Sequence, residues 1–168
     1  MARLHPDLHP DLHPDMAPLA ALLGVWAGQG TGVYPTIEPF DYFEEVSFGH
    51  VGKPFLSYVQ KTMAVDDRRP MHGETGYLRV PAPDRVELVL AHPTGVTEID
   101  EGTLTASGTA LDMQLRSTAI GRTASAKEIT ALTRSLRIEG DELTYTVAMG
   151  AVGQPLQQHL SATLRRKA

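Results

Sequence analysis

The feature that most constrains the fold is a series of short segments, from residue 17 onward, in which apolar and polar residues alternate between turns. The alternation is clearest where polar residues separate Leu111, Met113 and Leu115, and again along residues 143–149. A period of two places successive side chains on opposite faces of a β-strand, so one face of each segment is apolar. The segments recur about every 8–12 residues, which is typical of an all-β sandwich or barrel.

The pattern predicts roughly ten strands, over residues 26–32, 40–48, 55–65, 73–80, 85–91, 96–100, 103–107, 111–118, 128–138, 143–152 and 156–165. Short connections favour an up-and-down antiparallel β-barrel over a Greek-key sandwich. A barrel of this strand number is wide enough to hold one ligand. In the last segment Leu156, Leu160 and Leu164 recur every four residues, which also fits a helix. We interpret this segment as a strand because it ends a strand-rich chain.

The N-terminus departs from this pattern, because residues 4–15 are three copies of Leu-His-Pro-Asp. A proline at every fourth position disfavours a helix, so residues 1–16 are predicted to be a disordered tail. The repeat histidines His5, His9 and His13 leave a weak metal-binding role open. The barrel domain is predicted to span residues 17–168 and to begin with a short helix over residues 18–24, which starts near a proline and ends at a glycine.

Composition excludes several kinds of site and partner. A chain of 168 residues fits one domain, and the absence of cysteine excludes disulfides, thiolate metal ligands and cysteine nucleophiles. The net charge of −5 disfavours nucleic acid as a partner. We find neither a membrane-spanning apolar run nor a secretory signal, so we expect a soluble cytoplasmic protein without membrane partners.

One motif places three glycines and a tryptophan at alternate positions: Gly24, Trp26, Gly28 and Gly30. In an extended strand the four residues share one face. Glycines in a strand mark the close approach of another backbone or of a ligand, and we favour a strand packed tightly on the N-terminal helix. The motif is not a dinucleotide fingerprint, because its glycines follow the predicted helix and lead into a strand.

Conventional catalytic motifs are missing, since there is neither a nucleophile elbow nor a phosphate-binding loop. The carboxylates at residues 44–45 and 98–101 are interpreted as solvated surface. Four histidines outside the tail remain as metal or cofactor ligands. His50 lies in a predicted loop, whereas His72 and His92 lie at strand edges, where we expect backbone hydrogen bonds. If its segment is extended, His159 shares a face with polar residues 157, 161 and 163, and residue context does not choose among the four.

Four motifs in this order resemble the nitrobindin family of haem-binding β-barrels: Gly24-x-Trp26-x-Gly28-x-Gly30, Tyr34-Pro35-Thr36-Ile37, Ala91-His92-Pro93-x-Gly95 and Gln154-Pro155-Leu156-x-x-His159-Leu160. The resemblance covers residues 19 to about 166. It implies an up-and-down barrel of about ten strands, similar to fatty-acid-binding proteins and lipocalins, with one haem b per subunit at its mouth.

The resemblance also assigns roles to individual residues. It implies that His159 is the axial ligand of the haem iron and the catalytic residue, and that Thr36 and Lys127 contact the haem. Met149 lies on the apolar face of its strand and is a further candidate for the pocket, with ordinary core packing as the alternative.

The activity implied by the resemblance is isomerisation of peroxynitrite to nitrate at a ferric haem iron, with nitric oxide as a second ligand of that iron. A monomer or a homodimer is expected. The alternative function is a carrier of a fatty acid or other small apolar ligand, because a barrel of this kind encloses one small molecule and no conventional catalytic set is present. A weaker possibility is that the repeat tail recruits metal or haem.

Overall fold

The computed structural model describes residues 10–168, in which a 3₁₀ helix, Pro14–Leu22, precedes ten antiparallel strands. The strands are β1 Gly24–Tyr34, β2 Ile37–Gly49, β3 Leu56–Ala64, β4 Pro70–Ala82, β5 Arg85–His92, β6 Val96–Ser107, β7 Ala110–Arg122, β8 Ile129–Glu139, β9 Glu142–Ala151 and β10 Gln157–Arg166. Each strand pairs with its neighbour in sequence, and β10 pairs with β1 to close the barrel. The predicted fold class is therefore confirmed.

Two details of the strand prediction have different outcomes. The C-terminal segment is strand β10, as predicted. Residues 96–107, predicted as two strands, form the single strand β6. Gly102 lies inside this strand because the backbone of β7 comes too close for a side chain: a Cβ would lie 2.7 Å from the carbonyl carbon of Gln114. The glycine thus permits close pairing of β6 with β7 and does not mark a turn.

The N-terminal helix starts earlier than predicted, within the third repeat. Proline is tolerated at a first helical position, where the N–H group would have no partner, and His13 caps the end by accepting a hydrogen bond at Nδ1 from the Asp15 N–H over 3.2 Å. One side of the helix is fully buried at the three-residue period of 3₁₀ geometry: Met16, Leu19 and Leu22. Residues 1–9, including His5 and His9, lie outside the described residues, so the disordered tail stays a prediction there. It is wrong for residues 14–16, which belong to the helix.

The helix packs against one end of the barrel, where it contacts β4, β6 and β7. The fully buried Trp26 donates from Nε1 to the Leu22 carbonyl over 2.8 Å. The Arg166 guanidinium lies 4.2 Å from the Trp26 ring centroid and donates from Nη2 to the Ala21 carbonyl over 3.0 Å. These contacts satisfy carbonyls that the end of a helix leaves unpaired. The packing of Trp26 agrees with the interpretation favoured for its motif.

The connections after β1, β3, β5, β7 and β9 lie at the other end of the barrel, which we call the mouth. The antiparallel order requires this arrangement, since successive hairpins alternate between the two ends. Within residues 10–168, no helix has the length and apolar character needed to cross a membrane.

Candidate functional site

A cavity of about 1250 Å³ occupies the barrel interior. Its wall includes residues of every strand, and exposed residues of the mouth such as Glu38 and Arg69 are part of it, so the cavity reaches solvent there. Ligand pockets typically measure about 300–1,000 Å³, which means that this cavity admits a large group. The opposite end is closed by the helix and Trp26.

Glycines on the inward face of β1 shape one wall of the cavity. A Cβ on Gly30 would lie 2.5 Å from the Tyr42 hydroxyl oxygen, and a Cβ on Gly32 would lie 2.7 Å from Cε2 of Phe40. Both distances are too short for a contact between a Cβ and another heavy atom. Because glycine has no Cβ, the two β2 rings can lie across β1 at these positions. The Phe40 and Tyr42 rings then line the cavity.

His159 is the extra residue of a β-bulge in β10. Gln158 pairs with Ala148 and Leu160 pairs with Val147, which leaves His159 between them without a partner in β9. A bulge interrupts strict alternation, and both His159 and Leu160 therefore line the cavity. The expectation that His159 shares the face of residues 157, 161 and 163 assumed a regular strand. It holds for residue 157, which pairs with the cavity-lining Met149, and is wrong for residues 161 and 163, which follow the bulge.

The surroundings of His159 fix which ring nitrogen is free. Nδ1 donates a hydrogen bond to the Val33 carbonyl over 3.1 Å, and in the described residues Nε2 makes none. The ring packs edge-on against Tyr34, with centroids 5.3 Å apart, and against Phe40 at 6.5 Å. Burial lowers the pKa of His159 below its usual range and so favours the neutral imidazole. A neutral imidazole with one nitrogen tied to a carbonyl is the form that ligates metals.

The other predicted site residues lie at or near the mouth. Met149 of β9 is half-buried and lines the cavity. Thr36 lies exposed in the turn between β1 and β2, and Lys127 lies exposed in the connection between β7 and β8. Neither Thr36 nor Lys127 belongs to the cavity wall among the described residues. The structure thus brings Met149 and His159 into one cavity and leaves Thr36 and Lys127 at its rim.

A group of charged side chains that the sequence interpretation missed is buried deeper in the barrel. Arg134 of β8 lies at its centre: Nη1 is 3.1 Å from Oε1 of Glu74, Nη2 is 2.9 Å from Oε1 of Glu98 and Nε is 3.2 Å from Oδ2 of Asp100. Glu44, also buried, accepts a hydrogen bond from the Tyr145 hydroxyl. The interpretation of residues 44–45 and 98–101 as solvated surface is therefore wrong for Glu44, Glu98 and Asp100, which are buried. Tyr145 is the hydrogen-bond partner of Glu44, and the Arg134 guanidinium lies beside the other two carboxyl groups.

His92 belongs to the same buried group, and the partly exposed His72 lies against it. Nε2 of His72 lies 3.2 Å from Nδ1 of His92, and Nε2 of His92 lies 2.7 Å from Oε2 of Glu98. Nδ1 of His92 is also 3.3 Å from Oε2 of Glu74. The two rings stack with centroids 5.4 Å apart. The expected backbone hydrogen bonds are thus replaced by contacts with each other and with carboxylates.

The buried carboxyls divide into two kinds by their pKa. Burial raises the pKa of Glu44 to about 7, and burial together with the charge of Glu98 raises the pKa of Asp100 to about 8. Burial opposes ionisation of Glu74 as well, but the Arg134 guanidinium and the hydrogen bond from the Tyr58 hydroxyl outweigh it and hold the pKa of Glu74 below its usual range. Arg134 thus stabilises the carboxylate of Glu74, whereas the pKa values of Glu44 and Asp100 lie near neutral pH.

Comparison with known proteins adds independent findings. Residues 15–166 match the sequence family described as THAP4-like, heme-binding beta-barrel domain. A crystal structure of Rv2717c from Mycobacterium tuberculosis superposes with a TM-score of 0.91 at 57% identity, and the match covers 94% of this chain and 100% of that one.

Curated relatives have similar sequences over nearly their whole length. Peroxynitrite isomerase 2 of Mycobacterium marinum is 66% identical over 166 residues, which are 99% of this chain and 98% of the relative. Peroxynitrite isomerase of Nocardia farcinica is 63% identical over 163 residues, which are 97% of this chain and 92% of the relative. These matches span the helix and all ten strands.

Proposed function

Because the chain belongs to the family of THAP4-like haem-binding β-barrel domains, we propose that it holds one haem b in its cavity and isomerises peroxynitrite to nitrate. Membership confirms the resemblance to nitrobindins, and relatives at 60–66% identity carry the name peroxynitrite isomerase. The observation that carries the proposal is His159, turned into the cavity by a bulge with its Nδ1 on the Val33 carbonyl.

The donor set of the cavity suits haem. His159 would hold the iron through Nε2, because Nδ1 is already used. The Tyr34 and Phe40 rings restrict rotation of the imidazole. Tyr34 is itself fixed, since its hydroxyl accepts a hydrogen bond from the Ala151 N–H over 2.8 Å. The ligand is therefore oriented before any cofactor arrives, which reduces the cost of binding.

Residues at the mouth would hold the polar edge of the cofactor. Lys127, between β7 and β8, carries a positive charge that suits a haem propionate. The Thr36 hydroxyl, between β1 and β2, could donate a hydrogen bond to the polar edge of the haem. Met149 adds an apolar side chain to the wall of the cavity that His159 also lines, and apolar side chains of this kind suit the face of a porphyrin ring.

Haem supplies, when bound, the redox-active iron on which peroxynitrite rearranges to nitrate. The chain supplies the ligand nitrogen, the apolar wall and the access route through the mouth. Nitric oxide is proposed as a second small ligand of the same iron.

Haemin titration of wild type and His159→Ala, followed by the Soret band, tests the ligand assignment. Loss of a residue that only orients a metal ligand costs about 10–100-fold in affinity, so removal of the ligand itself is expected to cost more than tenfold and to shift the Soret band. His50→Ala, a change at a loop histidine outside the cavity wall, is the matched control. Equal spectra and affinities for wild type and His159→Ala would contradict the assignment.

Peroxynitrite decay measured together with nitrate yield tests the reaction. Faster decay with a matching rise in nitrate is expected for the haem-loaded protein, whereas faster decay without extra nitrate contradicts isomerisation. A colourless preparation that rejects haemin and yields extracted lipid would favour the apolar-ligand carrier. Cytoplasmic location and a monomeric or homodimeric state stay predictions.

A further inference from the structure

Three side chains from neighbouring strands direct ligand atoms at one point on the cavity wall. His72 and Glu74 lie on β4, and His92 lies on the adjacent strand β5. Because His72 and Glu74 are two residues apart, they share one face of β4. All three residues line the cavity, so the point they surround is accessible from inside the barrel.

The distances among the three ligand atoms match the spacing of a metal coordination sphere. Nε2 of His72 is 3.2 Å from Nδ1 of His92, which is 3.3 Å from Oε2 of Glu74, and the third side of the triangle is 3.8 Å. Ligands held tetrahedrally at about 2.0–2.1 Å from zinc are about 3.3–3.4 Å apart. An ion therefore fits among these atoms after displacements of a few tenths of an ångström.

Neighbouring groups already orient two of the three ligands. The Tyr58 hydroxyl donates to Oε1 of Glu74 over 2.6 Å, and Arg134 donates to the same oxygen over 3.1 Å. Oε2 of Glu74 faces the histidines and also accepts a longer hydrogen bond from Nη2 of Arg134, over 3.4 Å. Nε2 of His92 donates to Glu98 over 2.7 Å, which leaves the lone pair of Nδ1 directed at the cluster. A carboxylate behind a ligating histidine is the usual outer partner in metal sites.

The charge and exposure of the cluster also suit a cation. Two carboxylates, Glu74 and Glu98, share the single charge of Arg134, and a divalent ion would offset the remaining negative charge. Glu74 and the His92 side chain are almost fully buried, whereas the His72 side chain is 37% exposed, so an ion has a route in from the cavity.

We propose that His72, Glu74 and His92 form a second metal site, separate from His159, that binds one divalent first-row transition-metal ion such as Zn²⁺ or Fe²⁺. Two imidazoles and one carboxylate are a donor set for these metals and not for Mg²⁺ or Ca²⁺, which prefer oxygen ligands alone. Three protein ligands leave an open coordination position on the cavity side, where water or an anion would bind. The site uses none of the residues proposed to hold the haem, and both sites lie on the wall of one cavity.

Zn²⁺ titration of the full-length protein against a chromophoric chelator tests the site, with metal content measured after dialysis. The protein should carry His5→Ala and His9→Ala, so that His13 alone remains of the repeat histidines and the repeat no longer offers several imidazoles to one ion. One Zn²⁺ per chain is expected, in protein with and without added haemin. His72→Ala is expected to weaken Zn²⁺ binding more than 100-fold, and Glu98→Gln about 10–100-fold as the loss of an outer partner.

Two controls separate this proposal from the haem site and from misfolding. His50→Ala and His159→Ala should both leave Zn²⁺ affinity unchanged, and thermal unfolding should show that His72→Ala is folded. Equal Zn²⁺ affinity in wild type and His72→Ala overturns the proposal, as does a Zn²⁺ stoichiometry near zero. If His72→Ala weakens haemin binding and leaves Zn²⁺ binding unchanged, His72 belongs to the haem site and the proposal is also overturned.

Discussion

Replacing Arg134 by methionine tests whether the buried charges are held by that single guanidinium. Arg134 lies within 3.2 Å of oxygens of Glu74, Glu98 and Asp100, and its side chain is 15% exposed. Removing one partner of a buried ion pair costs about 3–5 kcal/mol, because the other charge stays buried without compensation. At about 2–4 °C per kcal/mol for a chain of this size, the free-energy loss corresponds to a fall in Tm of about 6–20 °C.

Chemical unfolding followed by the fluorescence of Trp26, the single tryptophan, measures this free energy. The pKa of Glu74 is held below its ordinary value of 4.5, so its stabilising contribution is present above about pH 4.5 and is lost as pH falls. The difference between wild type and Arg134→Met should therefore be largest at pH 7 and shrink toward pH 3. Arg137→Met, on the same strand but exposed, is the matched control and should leave stability unchanged. Equal stabilities of the two variants at pH 7 would refute the reasoning.

Three further changes have outcomes worked from the same contacts. The pKa of Glu44 is raised from 4.5 to about 7, so wild type loses stability as pH rises through that interval, and Glu44→Gln should flatten this loss in denaturant titrations between pH 4.5 and 8. Gly30→Ala drives a methyl group into the Tyr42 ring and should cost about 1–3 kcal/mol in thermal unfolding, whereas a neutral result would show that the ring moves freely. Trp26→Phe leaves the Leu22 carbonyl without its donor and should cost at least about 1–3 kcal/mol by the same measurement, an expectation that an unchanged Tm would contradict.

The fold was predictable from sequence because most strands keep their alternation along their length. In β9, for example, Leu143 and Val147 face the core and Thr146 faces solvent, as the pattern indicates. Alternation depends only on the pleat of the strand, so it requires no knowledge of neighbours. The prediction of a strand boundary at Gly102 was wrong. This glycine allows the backbone of β7 to come close to β6, and such a tertiary contact is not visible in the local sequence.

The assignment of polar residues to the solvent face was wrong where polar side chains are buried together. In β6 the apolar Ile99 is exposed, whereas Glu98 and Asp100 face the interior because Arg134 pairs with both. One sequence signal did indicate that Arg134 is buried. Leu132 lies two residues before it in β8, which places Arg134 on the same face as an apolar residue. The partners of Arg134, however, come from strands distant in sequence, and no local pattern identifies them.

The orientation of His159 was likewise beyond local sequence reasoning. A bulge depends on how β10 pairs with β9, and nothing in residues 154–160 indicates where the extra residue lies. Family resemblance pointed to His159 by motif, and the cavity and the bulge give a physical reason for that choice. Thr36 and Lys127 stay predictions of the resemblance, as exposed residues at the mouth.

The most direct test of the central claim is chemical rescue of His159→Gly with free imidazole. The variant removes the ring that donates to Val33 and lines the cavity, and so leaves space for a detached imidazole. The account predicts that haemin affinity and the wild-type Soret band are lost in the variant and return when imidazole is added. A His159→Gly protein that binds haemin like wild type without imidazole would show that another side chain ligates the iron and would contradict the account.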